Sequence, residues 1–287
     1  MTVFDDRVCE LGEGPFWHPL RGQLFWFDIL GRRLMCRGAE GAREWVFPEM
    51  VSAAGVIDRD ELLVASETAL FRFNLETGAR RDVVGLEADD PATRSNDGRA
   101  DPMGGFWIGT MGKVEGPDEP KRGSIYRFFK GELRRLYTGF GVTNSISFSP
   151  DGRVACFSDT PSHRVMRVAL DPDGWPAGEP EVFLDFTEEM LLPDGAVMDA
   201  EGVLWLAFWE GARVAAYGPD GRFLKAVPFP APHTTCPAFG GADLTTLFCT
   251  SARVGLSEAE RPSWPQGGMT FAAEGVAKGQ PVPLVRL

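Results

Sequence analysis

Four segments of the chain carry an oxygen-bearing side chain at the same place in a shared pattern. The segments begin at residues 12, 95, 143 and 193, and the oxygen-bearing side chain is the second residue of each. Five residues after it, a polar side chain is followed by Pro or Ala. The residues in this position, called the slot below, are Glu13, Asn96, Asn144 and Asp194. Carboxylates and amides that converge on one point destabilise one another unless a cation compensates them. Hard divalent cations prefer such all-oxygen sets, so the slot predicts a metal site if the fold brings these residues together.

The alternative interpretation of the slot is a set of turn formers, because Asn and Asp often serve only that purpose. Glu13 is a poor turn former, however, and four polar residues in register are harder to explain by turns than one. The same position elsewhere in the chain falls near Ser52 and Thr235, whose side chains are small. We therefore favour the metal interpretation.

The elements that position the slot are repeated strands. Apolar clusters begin at residues 24, 62, 106, 155, 204 and 247, with separations of 38, 44, 49, 49 and 43 residues. Most follow a turn, and each precedes an alternating apolar and polar segment and then a further short strand. This pattern predicts an all-β fold, a six-bladed β-propeller with four-stranded antiparallel blades. A two-sheet sandwich is the alternative, but it predicts no fixed period.

The predicted propeller places the slot at one mouth of its central channel, because the strand that follows the slot is the innermost of each blade. We expect residues 1–287 to form a single domain. One terminal segment, TVFDDRV or PLVRL, should complete a blade built from both chain ends, and the sequence leaves open which one. The best helical alternative, residues 184–192, is short and runs into Pro193.

Composition excludes several classes of function. The formal net charge of −12 argues against binding to nucleic acid or to anionic membranes. Five dispersed cysteines without a CxxC pair indicate buried free thiols in a reducing compartment. The chain shows neither a secretory signal at its start nor an apolar run of 18 residues, so we expect a cytoplasmic protein. A monomer is the default for a propeller without an added helix or tail.

Other catalytic chemistries find little support in the sequence. It contains no GxSxG motif, and its three histidines, His18, His163 and His233, are expected to be structural. Most tryptophans recur at inward positions of the second strand of a repeat, which predicts core packing rather than a stacking surface. Trp209 lies just beyond such a strand and is the best candidate for an aromatic wall near the site.

Five segments carry a family resemblance that runs through nearly the whole chain. Together they resemble the SMP-30/gluconolactonase family of sugar lactonases, also called regucalcin-like proteins. The segments are LGEGPFW (11–17), RSNDGRADPMGGFWIGTM (94–111), TNSISFSPDG (143–152), LPDGAVMDAEGVLWLA (192–207) and CPAFGGADLTTLFCTSAR (236–253). The resemblance implies a six-bladed propeller, in agreement with the repeat pattern.

The resemblance also implies roles for individual residues. Glu13, Asn144 and Asp194 would be the direct metal ligands, and Asp194 would also serve as the general base. Asn96 would be a looser or water-bridged fourth member of the set. The resemblance makes Arg94 the residue that holds substrate hydroxyls, and Asp97 a contact to the substrate or to the ligands.

One segment departs from the family pattern. Relatives often carry an acidic residue soon after GTM, but here the run GTMGKVEGPDEPKRG loses register, and neither Lys113 nor Glu115 can be assigned to that role. Residues 112–123 are rich in Gly, Pro and charge, which is typical of a loop beside the mouth. Whether that loop is a lid stays open.

The resemblance implies a metal-dependent hydrolase that opens an aldono-1,4- or aldono-1,5-lactone to the aldonic acid. The cofactor would be one divalent ion, and Ca²⁺, Mg²⁺, Mn²⁺, Fe²⁺ and Zn²⁺ all remain open. Two alternatives persist. One is a propeller metallohydrolase that acts on other esters or on phosphotriesters, and the other is a propeller that binds a metal without catalysis.

Overall fold

Each repeat of the sequence folds into one antiparallel sheet. The computed structural model describes residues 1–114, 116 and 119–287, and within them the strands form six sheets of four strands. In chain order the strands are β1 (Thr2–Asp5), β2 (Gly12–His18), β3 (Gln23–Asp28), β4 (Arg33–Gly38), β5 (Gly41–Val46), β6 (Val51–Val56), β7 (Glu61–Ser66), β8 (Ala69–Asn74), β9 (Arg80–Gly85), β10 (Thr93–Ala100), β11 (Phe106–Gly112), β12 (Gly123–Phe129), β13 (Glu132–Phe140), β14 (Thr143–Phe148), β15 (Val154–Asp159), β16 (Arg164–Ala169), β17 (Glu181–Asp185), β18 (Leu192–Met198), β19 (Leu204–Trp209), β20 (Arg213–Tyr217), β21 (Phe223–Pro228), β22 (Thr234–Gly240), β23 (Thr246–Ser251) and β24 (Thr270–Ala273).

The six sheets are the blades of a propeller. Blades 1 to 5 take four consecutive strands each, from β2 to β21, and blade 6 has the order β1-β24-β23-β22. The innermost strands β2, β6, β10, β14, β18 and β22 contact one another in this order around a closed ring. The predicted six-bladed β-propeller is therefore confirmed.

The core lies between the blades, where apolar side chains of neighbouring sheets interdigitate. Trp26, Trp107 and Trp205 come from the second strand of their blades and are completely or almost completely buried. Burial of such large rings removes the most apolar surface per residue from water. The prediction that these tryptophans belong to the core is confirmed.

The N-terminal segment completes the ring. Strand β1 forms the outer edge of blade 6 by pairing with β24, with Thr2 opposite Ala272. The C-terminal segment instead crosses the end of the channel away from the slot. There Gln280 Nε2 donates hydrogen bonds of 3.0 Å to the carbonyl oxygens of Phe148 and Met198, which belong to blades 4 and 5.

The described residues contain little helix. Two 3-10 turns, Thr160–Ser162 and Arg261–Ser263, are the helical elements found there. Residues 184–192 form no helix, because β17 ends at Asp185 and β18 begins at Leu192. In the described part of the chain we find no helix with the length and apolar character needed to cross a membrane.

The second repeated polar position, five residues after the slot, serves the fold. Asp101 Oδ1 accepts a 2.9 Å hydrogen bond from the Gly105 backbone, and Asp199 Oδ1 accepts one of 3.0 Å from the Val203 backbone. Ser149 Oγ plays the same part in blade 4 by accepting from Val154, at 2.9 Å. These side chains hold the turns at the end of the channel opposite the slot.

The histidines and cysteines lie in structural positions. His18 is completely buried at the C-terminal end of β2, whereas Glu13 lies near the start of that strand. Burial, followed by the charge of Arg21, lowers the pKa of His18 to about 4. His163 Nδ1 is bonded to the Leu191 carbonyl at 2.8 Å. All five cysteines are free and buried, as predicted. Burial raises the pKa of the Cys156 thiol to about 12, which makes it a poor nucleophile.

Candidate metal and substrate site

The slot lies at a β-bulge in the innermost strand of every blade. In blade 1 the pairing of β2 with β3 passes from Glu13 opposite Phe27 to Phe16 opposite Phe25, so β2 holds one extra residue. A bulge of this kind bends the strand and re-aims side chains out of the ladder. The same one-residue slip falls at 51–53, 95–98, 144–147, 193–196 and 234–237.

The bulges bring the four polar slot residues together across blades. Asn96 Nδ2 of blade 3 lies 3.2 Å from Asn144 Oδ1 of blade 4. The side chains of Glu13 and Asp194, from blades 1 and 5, are hydrogen-bonded to each other. All four are buried, with between 2% and 5% of their surface exposed. Contacts across blades therefore join the slot residues in two pairs, Asn96 with Asn144 and Glu13 with Asp194.

The two small slot residues contact their neighbours instead. Ser52 Oγ donates a 2.8 Å hydrogen bond to Ser95 Oγ, which precedes the slot of blade 3. Thr235 Oγ1 donates to the Gly12 carbonyl at 2.5 Å. Both hydroxyls therefore tie one innermost strand to the next.

Burial and neighbouring negative charge disfavour the ionised carboxylates of the site. Burial, and then the charge of Asp97, raises the pKa of Glu13 to about 8, although Gly14, Arg94 and Asp194 each act to lower it. Asp97 is itself buried, and burial raises its pKa. Its Oδ2 accepts a 2.7 Å hydrogen bond from the Ile146 backbone, whereas its Oδ1 has no hydrogen-bond partner among the described residues. A cation at this position would stabilise the ionised forms of these acids.

Arg94 stands beside the acids and is itself buried, with 7% of its surface exposed. Its Nη1 donates hydrogen bonds of 2.8 Å to Asn96 Oδ1 and 3.0 Å to the Ser95 carbonyl. The side chain is thereby fixed in direction before any substrate arrives. A guanidinium is a planar fork of five donors, a shape that suits neighbouring sugar oxygens or a carboxylate.

The amide of Asn96 turns its oxygen away from its slot neighbour. Asn96 Oδ1 is taken by Arg94, while Nδ2 donates to Asn144 Oδ1 and, at 2.9 Å, to the Thr143 carbonyl. In this arrangement Asn96 presents a hydrogen-bond donor, and not a lone pair, to Asn144. That geometry separates Asn96 from Glu13 and Asp194, whose carboxylates can only accept once they are ionised.

The remaining slot oxygens fit a hard divalent cation. Glu13 and Asp194 offer carboxylates joined by a side-chain hydrogen bond, and Asn144 offers an amide oxygen that accepts from its slot neighbour Asn96. Within the described residues no three His, Cys, Asp or Glu side chains are grouped to hold a metal ion, so a third oxygen ligand would come from an amide such as that of Asn144. Two acids and one amide leave room for water and substrate oxygens around an ion that takes six or more ligands.

Lys113, Glu115 and Trp209 are further residues that the sequence places near the mouth. Lys113 forms an ion pair with Glu67, and Glu115 lies outside the described residues. Trp209 is partly buried and stacks flat on His233, with ring centroids 4.1 Å apart and planes 2° from parallel. The sequence analysis missed Thr160, whose hydroxyl contacts the Asn144 amide at 2.9 Å.

The fold and the site define a six-bladed β-propeller whose innermost strands carry buried oxygen-bearing side chains at one end of the channel. A family model described as "SMP-30/Gluconolactonase/LRE-like region" matches residues 11–253. The chain therefore belongs to the SMP-30/gluconolactonase/LRE-like family, as the resemblance of its motifs predicted.

Individual relatives match along nearly the whole chain. A putative sugar lactone lactonase of Rhizobium meliloti is 39% identical, and the match covers 99% of this chain and 97% of the relative. An L-arabinolactonase of Azospirillum brasilense is 37% identical, with 95% and 91% covered. The crystal structure of regucalcin from Agrobacterium tumefaciens, described as a calcium-binding protein, has a TM-score of 0.96 and 41% identity, with 100% and 97% covered.

Proposed function

We propose that this protein is a metal-dependent lactonase that opens a sugar lactone to the corresponding aldonic acid. The observation that carries the proposal is the burial of Glu13, Asn144 and Asp194 at the same bulge of three innermost strands. Arg94 is joined to Asn144 through Asn96, and its charge acts on Glu13. Relatives named as lactonases support the reaction class, since one is a putative sugar lactone lactonase and another an L-arabinolactonase.

Metal dependence forms part of the proposal. Glu13, Asn144 and Asp194 would hold one divalent cation, and the calcium-binding description of the Agrobacterium protein supports such an ion. The cation would supply Lewis-acid polarisation of the lactone carbonyl and would stabilise the charge that develops on its oxygen. The oxygen set alone does not select among Ca²⁺, Mg²⁺, Mn²⁺, Fe²⁺ and Zn²⁺.

Side chains of the protein would transfer the proton and orient the substrate. A carboxylate oxygen of Asp194 accepts the proton of the attacking water, and this proton then passes to the leaving ring oxygen. Arg94 orients the sugar by binding the sugar hydroxyl groups, because Asn96 already holds the Arg94 guanidinium in place. Asn96 acts through Arg94, which it orients, because both of its amide hydrogens are committed to Thr143 and Asn144. Asp97 supplies negative charge beside Glu13. The burial of the pocket keeps bulk water from weakening these contacts.

A substrate panel tests the proposal. Acid release would be followed in a pH-stat with five- and six-carbon aldonolactones, each with Ca²⁺, Mn²⁺, Mg²⁺ or Zn²⁺ added to metal-free protein. We expect metal-stimulated hydrolysis of at least one aldonolactone and little turnover of a simple aryl ester. A flat response to all aldonolactones together with fast turnover of a phosphotriester would assign the protein to another hydrolase class. No turnover of any of these compounds would favour metal binding without catalysis.

A further inference from the structure

A chain of hydrogen bonds crosses the candidate site in a single direction. It starts at Arg94, whose Nη1 donates to Asn96 Oδ1 at 2.8 Å, and Asn96 Nδ2 donates to Asn144 Oδ1 at 3.2 Å. Asn144 Nδ2 then donates to Thr160 Oγ1 at 2.9 Å, and Thr160 Oγ1 donates to the Pro193 carbonyl at 2.7 Å. The chain therefore links the proposed substrate contact to the residue that precedes Asp194.

The last two links fix the orientation of the Asn144 amide. A carbonyl oxygen only accepts hydrogen bonds, so the single hydroxyl proton of Thr160 is committed to Pro193. Thr160 Oγ1 can then only accept from Asn144, and an amide donates through its nitrogen. Consequently Nδ2 points toward Thr160, and Oδ1 points toward the slot. A flipped amide would place two acceptors together at Thr160 and two NH₂ groups together at Asn96.

The backbone holds Thr160 firmly in place. Thr160 follows the last residue of β15 and opens the 3-10 turn Thr160–Ser162, in which Pro161 restricts the backbone. Its own N–H donates to the Val142 carbonyl at 3.0 Å. The hydroxyl thus stands between blade 4, which provides Asn144, and blade 5, which provides Asp194.

We propose that Thr160 is a positioning residue of the metal site, and that its hydroxyl holds Asn144 Oδ1 toward the cation. This inference rests on the proposed function, because it takes Asn144 as a metal ligand. Groups that orient metal ligands typically contribute about 10–100-fold to metal affinity. Loss of the Thr160 hydroxyl should therefore weaken cation binding while the propeller stays folded.

The test measures Mn²⁺ binding to metal-free protein by the electron paramagnetic resonance signal of the free ion, so that it does not depend on activity. Thr160→Val removes the hydroxyl at nearly constant volume, and we expect it to raise the Kd about 10–100-fold. Thr160→Ser keeps the hydroxyl and should bind close to wild type. Ser162→Ala is the matched control, since Ser162 Oγ donates to the Asp159 carbonyl and not to Asn144.

A double-variant cycle separates positioning from a general structural effect. In Asn144→Asp both terminal atoms of the side chain are oxygens, so its orientation no longer decides whether an oxygen faces the cation. The cost of Thr160→Val should therefore be much smaller in that background than in wild type. An equal cost in both backgrounds would overturn the proposal, because a distorted loop would affect both alike.

The outcomes also separate this proposal from the proposed function. Failure of wild-type protein to bind Mn²⁺, Ca²⁺ or Zn²⁺ would contradict the metal site itself. Wild-type binding with unchanged affinity in Thr160→Val would contradict only the role of Thr160. Thermal unfolding of each variant reports whether it is folded, and Thr160→Ala replaces Thr160→Val if the latter is not.

Discussion

Asp194→Asn is expected to lower kcat for lactone hydrolysis by about 10²–10⁴-fold, the usual contribution of a general base. The substitution keeps the shape of the side chain and one oxygen, but it removes the group that accepts the proton of the attacking water. It also removes one of the two carboxylates that face each other in the slot, so metal affinity should fall as well. The measurement is steady-state acid release at saturating lactone and saturating metal.

The control for Asp194→Asn is Glu201→Gln, which neutralises an exposed acid in the same blade. Its kcat should stay close to wild type, because this side chain lies on the turn at the opposite end of β18. Retention of wild-type kcat by Asp194→Asn at saturating metal would remove Asp194 from the role of base.

Metal removal should abolish lactone hydrolysis, and a divalent cation should restore it. Without a cation, Glu13 lies buried with Asp97 and Asp194 nearby, and burial raises the pKa of Glu13 to about 8, so the metal-free site opposes the ionisation of Glu13. The site then lacks the polarising charge on which the proposed chemistry depends. Protein dialysed against a chelator, and then against chelator-free buffer, would be assayed before and after addition of each metal.

Thermal unfolding provides the control for metal removal. A folded apo protein should gain stability as the cation is added, since a ligand that binds only the native state raises the free energy of unfolding by mass action. Recovery of activity should follow the same concentration range as this stabilisation. Full hydrolysis in the presence of excess chelator would show that the reaction needs no bound metal.

The blades could be predicted from sequence because their signals are local. Alternating apolar residues and turn residues repeat at intervals of about 45 positions, and the strands of blades 1 to 5 each come from one continuous segment. The slot was predictable for a related reason. A polar residue recurring at one place in a repeat must recur at one place in the ring, so Glu13 and Asp194 meet although 181 positions separate them.

Other features depend on three-dimensional contacts that no local pattern encodes. The segments TVFDDRV and PLVRL have similar apolar character, and only pairing with β24 selects the first of them as the outer strand of blade 6. The bulges at the slot arise from the pairing of two strands and leave no distinct mark in one of them. Thr160 lies 16 positions from Asn144, so its role emerges only when the amide and the hydroxyl are seen together.

The repeated polar positions show how composition alone can mislead. Asp194 and Asp199 stand in the same segment, in blade 5, and both are buried. Asp199 nevertheless accepts backbone hydrogen bonds in its own turn, whereas Asp194 contacts Glu13 of another blade. Partners, rather than residue type, distinguish a structural carboxylate from a candidate ligand.

The central claim is that one cation binds among Glu13, Asn144 and Asp194. Anomalous diffraction from crystals of the protein soaked in Mn²⁺ tests it most directly. The account predicts one strong peak in this pocket, within about 2.0–2.6 Å of an oxygen from each of the three side chains. A fully occupied peak elsewhere, or an empty pocket in crystals of protein that hydrolyses lactones, would contradict it.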